Sequence, residues 1–141
     1  MSIYFYNQWY DVLNNFSANT VEIDGITYPT AEHAYQGAKC TDQRGKQEIV
    51  AAKSPLLAKK VSNQKYRSAK DPDWEAKKLS VMELILRAKL DQHQEVRDAL
   101  IRSGDEAIAE DSPVDAFWGR GKDGKGKNQL GKLWMKIRSE L

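Results

Sequence analysis

The residues best suited to chemistry in this chain lie in two stretches. In residues 112–131 an acid and two aromatics, Asp115, Phe117 and Trp118, precede a loop of glycines and lysines. Between 119 and 132 five basic side chains (Arg120, Lys122, Lys125, Lys127, Lys132) accompany one acid, Asp123, a local charge of +4. Gly119, Gly121, Gly124 and Gly126 permit positive φ and let backbone N–H groups approach a ligand closely. A helix start just beyond them adds partial positive charge. The combination predicts a site for a phosphate or another anion. The competing reading is a solvated, flexible Lys/Gly hairpin, against which the adjoining Asp-x-x-Trp-Gly speaks.

The second stretch is the helix expected to open at Pro29-Thr30 and run to about Cys40. At about 100° per residue Glu32, Gln36 and Lys39 share an arc of roughly 60°, with His33 at its edge and Ala31, Ala34, Tyr35 and Ala38 on another face. A polar surface ladder explains this stripe as well as a catalytic one does. If it lines a cleft, Glu32 serves as acid or base and Lys39 as nucleophile or electrostatic anchor, a role that burial assists by lowering the amine pKa.

The elements that position these groups are legible from pattern. The expected architecture is mainly α, in a single domain over 1–141, with a small antiparallel β element near the start. A short aromatic strand covers 3–6. Residues 20–24 and 26–28 form a hairpin about the Asp24-Gly25 turn. Two short helices fill 43–62 and break at Ser54-Pro55. Asp71-Pro72 resembles an N-cap with proline in the first helical position of the longest helix, whose buried face is Trp74, Val81, Met82, Leu84, Ile85 and Ala88. A helix over 93–103 ends at Gly104, and 129–138 closes the chain. Trp74, Met82 and Trp134 have core spacing, with Trp74 also a candidate for a cleft rim. Lys89 ends an apolar face, where snorkelling competes with contact to a bound anion. Arg67 is a further basic candidate with weak support.

Composition excludes several classes. A net charge of +2 argues against a general polyanion binder, although residues 103–115 hold five acids and no base directly before the basic loop. That polarity fits a cleft for a small anionic ligand better than a nucleic-acid track. The single cysteine, Cys40, excludes a disulfide framework and reads as an ordinary partly buried thiol. His33 and His93 form no helical His-x-x-x-His pair, so no metal site is expected. No Walker A loop, dinucleotide fingerprint or Gly-x-Ser-x-Gly elbow occurs. With no signal peptide and no membrane-length apolar run, the expected location is the cytoplasm, with no membrane partner.

Asn15-Phe16, the 29–33 run Pro-Thr-Ala-Glu-His with Gln36 and Lys39, Trp74, Met82 and Lys89 occur in the order of one family. So do the 115–119 run Asp-Ala-Phe-Trp-Gly, the 126–131 run Gly-Lys-Asn-Gln-Leu-Gly and the 135–138 run Met-Lys-Ile-Arg. The chain resembles the NADAR, or YbiA-like, family over nearly its whole length. It departs at Cys40, where an aromatic is more usual, and matches loosely over 41–70. The resemblance implies a helical domain that cleaves the bond between ribose C1′ and a nitrogen, with no cofactor. Two substrate classes follow: phosphorylated ribosylamino-pyrimidines of riboflavin synthesis, or ADP-ribose on a nucleobase such as guanine. The second brings ADP-ribosylated DNA and an ADP-ribosylating toxin as expected partners. Glu32, Lys39 and Asp115 would be catalytic. Lys39 would serve as Schiff-base nucleophile, with Lys89 in reserve. Asn15, His33, Gln36, Trp74, Lys89, Trp118, Gly119, Gly126 and Asn128 would bind substrate. The alternative is a non-catalytic module for ADP-ribose or a nucleotide.

Overall fold

A computed structural model describes residues 2–5 and 11–141 of the chain. Its elements are β1 (Ser2–Phe5), β2 (Val21–Ile23), β3 (Ile26–Tyr28), α1 (Ala31–Lys39), α2 (Gln43–Ala51), α3 (Pro55–Lys60), α4 (Trp74–Gln92), α5 (Gln94–Arg102), β4 (Ala107–Glu110) and α6 (Gln129–Arg138). They fall into two compact units, Ala18–Gln92 and the combination of Met1–Ser17 with His93–Leu141. The expected first strand appears as β1, and its last expected residue, Tyr6, lies outside the described residues.

In the central unit the β2–β3 hairpin forms as its Asp-Gly turn requires. Asp24 and Gly25 both take positive φ (52° and 80°), the geometry that a two-residue hairpin turn needs. Thr30 then caps α1, its hydroxyl accepting from the His33 backbone N–H at 3.2 Å, a contact of about 1 kcal/mol. Ser54 caps α3 in the same way, and Pro55 stands in its first turn. Past α3 the chain makes one π-helical turn, Val61–Lys65, and then a short 3-10 turn, Arg67–Ala69. Cys40, Ile49, Ala52 and Ala58 form a small core with Val61, Tyr66 and Ala69 against it, so Cys40 is a packed thiol. Two details differ from expectation. The longest helix, α4, starts at Trp74 because Asp71 and Asp73 close a separate turn first, with Trp74 N–H donating to the Asp71 carbonyl at 3.0 Å. Its buried face holds Trp74, Met82, Ile85, Leu86, Lys89 and Leu90, while Leu84 is 54% exposed.

The flanking unit holds a feature that the sequence pattern did not disclose. β1 pairs with β4 in parallel, Ile3 opposite Ile108 and Phe5 opposite Glu110, alongside the antiparallel hairpin of the other unit. Strand β4 sits inside the acidic 103–115 run with one strongly apolar residue, Ile108, so alternation was too weak to mark it. α6 buries Leu130, Trp134 and Ile137 at helical spacing. The Trp134 indole N–H donates to the Leu13 carbonyl at 2.9 Å, satisfying the polar end of a fully buried ring. Gly104 ends α5 with φ +61°.

Candidate active site

Helix α1 carries the stripe expected of it, and most of that stripe is buried. Glu32 is 8% and Gln36 2% exposed, while Lys39 at the last turn is half-buried. The Gln36 amide N–H, one turn before the lysine, donates to Glu32 Oε2 at 2.7 Å and fixes the carboxylate a further turn back. The amide's other end, Gln36 Oε1, is buried with no hydrogen-bond partner among the described residues. An acceptor left so costs roughly 1–3 kcal/mol, which a ligand donor would recover. Desolvation, and then the nearby Lys70, hold the Lys39 amine below the ordinary lysine range, against the opposing pull of Glu32 and Glu75. Lys59 adds to the lowering. The Lys39 amine also donates to Asn63 Oδ1.

The remaining candidates of this unit divide. His33 is 1% exposed, with Nδ1 on the Thr30 hydroxyl at 2.8 Å and Nε2 on the Ala52 carbonyl at 2.9 Å. Both ring nitrogens thus serve the helix start and its neighbour. Trp74 is 3% exposed and meets Tyr35 of α1 edge to face at 5.1 Å, which puts it in the core and not on a rim. Lys89 is fully buried on α4. A hollow of about 650 Å³ opens on the opposite side of α1, beside Ala34 and Ala38, and is lined mainly by apolar side chains such as Ile26, Val50 and Leu84. It touches none of the expected site residues.

In the other unit the glycine–lysine segment is a laced loop and not a floppy tip. Backbone bonds tie Lys127 to Ala116 (2.7 Å), Asn128 to Gly119 (3.0 Å), Leu130 to Trp118 (3.0 Å) and Arg120 to Glu110 (2.9 Å). Asp115 Oδ1 accepts from the N–H groups of Phe117 (3.0 Å) and Trp118 (2.8 Å). Trp118 is buried and stands edge to face with Phe117. Asn128 takes positive φ (51°), and its amide acts as a substitute strand neighbour for β4. Its Oδ1 accepts from Glu110 N–H and its Nδ2 donates to the Ile108 carbonyl, both at 2.9 Å. Gly119 and Gly126 owe their identity to crowding. A Cβ on Gly126 would lie 2.5 Å from the Gly119 carbonyl, and one on Gly119 would lie 2.7 Å from Glu110 Oε2. Positive φ belongs instead to Gly121 and Gly124, which line an open hollow of about 470 Å³ with Arg120 and Lys122. Arg120 is held by Asp111 at 3.0 Å and lies over the Tyr4 ring. Asn15 is buried in this unit near α6's anchor at Leu13.

Sequence reasoning missed Asn63, Lys59 and Lys70. All three lie in the weakly patterned 41–70 segment, where no spacing rule marks a residue that meets α1 only through the fold. Among the described residues, no group of three His, Cys, Asp or Glu side chains is placed to hold a metal ion. No helix among them is long and apolar enough to cross a membrane.

In this mainly helical fold α1 thus holds a buried carboxylate and amide, about two turns and one turn before a half-buried lysine. The chain belongs to the NADAR domain family, whose match runs over residues 2–141. It is 38% identical to the N-glycosidase YbiA of Escherichia coli over 132 residues, covering 94% of this chain and 82% of that protein. A riboflavin biosynthesis protein of Vibrio vulnificus is 35% identical over 141 residues, 99% of this chain but 38% of that longer protein. The solution structure of E. coli YbiA superposes with a TM-score of 0.88, covering 99% of this chain and 86% of that one, which confirms the expected fold.

Proposed function

We propose that this chain hydrolyses the C1′–N bond of a phosphorylated ribosylamino-pyrimidine, releasing ribose 5-phosphate and the free amine in the cytoplasm. It is a hydrolase acting on N-glycosyl bonds, the activity for which its relatives are named. One observation supports the choice of substrate: nearly the whole chain matches a segment of a protein named for riboflavin biosynthesis.

The chemistry follows from α1. Lys39, its pKa lowered by burial, adds through Nζ to C1′ of the ring-opened substrate. Glu32 carries the proton from Nζ to the leaving nitrogen, whose bond to C1′ breaks as that nitrogen takes the electron pair. Water then adds to the lysine imine, freeing the sugar aldehyde and returning the amine. Gln36 Oε1, buried without a donor, accepts from a substrate hydroxyl or N–H. His33 is a positioning residue for the start of α1. The glycine–lysine loop, with Lys122 and the positive-φ glycines, is our candidate for the phosphate, and Asp115 supports it by shaping the turn that carries Trp118.

The deciding test incubates the protein with the ribosylamino-pyrimidine phosphate and, in parallel, with DNA carrying ADP-ribosylated guanine, and follows release by mass spectrometry. Ribose 5-phosphate is the expected product. Release of ADP-ribose alone would replace this substrate with a nucleobase-linked one and make an ADP-ribosylating toxin the partner to seek. Tight binding without release of either product would make the chain a non-catalytic nucleotide module.

A further inference from the structure

We propose that Asn63, carried on the π-helical turn after α3, is the positioning residue for Lys39, holding its amine at one place with an uncharged acceptor. The inference rests on the reading of Lys39 as nucleophile and adds to it a residue with no motif of its own. Lys39 is the last residue of α1, where a long side chain ordinarily sweeps through many rotamers. Here its backbone is fixed from one side, because the Asp71 N–H donates to the Lys39 carbonyl at 2.9 Å and Cys40 bridges to Lys70. Its amine is fixed from the other side by Asn63 Oδ1.

The means of delivery is unusual. The Tyr66 N–H reaches back five residues to the Val61 carbonyl at 3.0 Å, so the helix widens by one residue across Val61–Lys65. Such single turns are rare and concentrate at functional sites. Asn63 is the middle residue of this widened turn, where each residue rotates less than the roughly 100° of a regular α-helix, and that sets the direction in which its side chain leaves the helix. The widened turn is itself secured, since Lys65 pairs with Glu48 at 2.6 Å and lies over the Tyr66 ring.

The choice of amide over carboxylate has a chemical consequence. An aspartate at this place would give the same acceptor oxygen together with a negative charge, and an opposite charge within about 4–6 Å stabilises the ammonium form. Asparagine orients the amine and leaves its charge to the surroundings. Those surroundings are Glu32 on the same helix, Lys59 on α3, Lys70 before α4, and Glu75 on α4, with Lys70 and Glu75 paired at 3.3 Å. The burial and the lysines prevail, and the amine titrates below the ordinary lysine range.

The test compares Asn63→Ala and Asn63→Asp with the parent, using lysine labelled with ¹³C at Cε to follow the Lys39 titration by NMR, with Lys39→Met to assign the signal. Asn63 is exposed, so both variants should melt with the parent. Asn63→Ala should lower kcat by about 10²-fold with little change in KM, the scale of a misplaced reacting group. Asn63→Asp should keep the amine in place but raise its pKa by about 1 unit or more. The rise of activity with pH then moves to higher pH in step with the NMR titration. A Lys39 titration and kcat unchanged in both variants would overturn the proposal. A shifted titration in Asn63→Asp, beside a fully active Lys39→Met, would uphold the contact while removing Lys39 from the chemistry.

Discussion

Helix α1 and the glycine–lysine loop attract attention in the sequence for the same reason, a cluster of polar and charged residues, yet the fold uses them differently. In the loop most of the distinctive residues build backbone. Asn128 stands in for a strand beside β4, Asp115 caps the Phe117–Trp118 turn, and Gly119 and Gly126 sit where a Cβ has no room. On α1 the side chains of Glu32, His33 and Gln36 are buried, and one of their polar atoms has no partner among the described residues. Gln36 keeps an unpartnered acceptor, and burial holds the Lys39 amine below the ordinary lysine range. A motif rich in glycine and asparagine can thus record the needs of the chain itself, while a buried polar helix face that tolerates unsatisfied groups points to a ligand.

The comparison is broken most directly at Lys39. Lys39→Met should lower turnover by about 10⁴-fold or more, the scale of losing a covalent nucleophile, while the melting temperature stays close to the parent's. Full activity in that variant would move the chemistry off α1. The parent's activity should rise with pH as the amine sheds its proton, and the midpoint should lie below the ordinary lysine range, because burial and Lys70 disfavour the ammonium form. A midpoint at or above that range would show the site to be more hydrated than the structure has it.

Glu32→Gln should cost about 10²–10⁴-fold in kcat while ribose phosphate still binds, the range for removal of a positioned acid or base. Isothermal titration beside a turnover assay separates the two effects. Loss of binding and turnover together would make Glu32 a structural partner of Gln36.

Gly131→Ala tests the other side of the contrast. Its Cβ would fall 2.2 Å from the Ile108 carbonyl, against backbone that cannot give way cheaply. Unfolding in urea should show a loss of about 1–3 kcal/mol or more, with kcat of the folded fraction retained. Undiminished stability would mean that the contact of α6 with β4 has slack which its close approach does not suggest. The smallest effect is expected for Lys122→Ala. If the loop takes the phosphate, KM rises about fivefold at constant kcat, the scale of one exposed ion pair. An unchanged KM would leave the loop with a purely architectural part.

Much of this was legible beforehand because it is local. The hairpin followed from Asp24-Gly25, the starts of α1 and α3 from Thr30 and Ser54-Pro55, and the end of α5 from Gly104, each a short-range conflict of backbone conformation that few residue types resolve. The Glu32–Gln36–Lys39 stripe followed from helical period alone. The parallel β1–β4 pair was not legible, since its partners are more than a hundred positions apart and one of them alternates weakly. Nor was the role of His33 or Trp74. Their types suited a site, and no local pattern showed that His33 would meet the Ala52 carbonyl or Trp74 the Tyr35 ring.

By itself the sequence determined the helical composition, most element boundaries, the family and the acid–lysine stripe, because capping, turn chemistry and helical period act over a few residues. Tertiary structure alone decided which of those polar groups lost their water, which glycines lie hard against neighbouring backbone, and that Asn63 meets Lys39 from 24 positions away. Desolvation and long-range contact depend on what the rest of the chain places around a residue, and no local pattern carries that information.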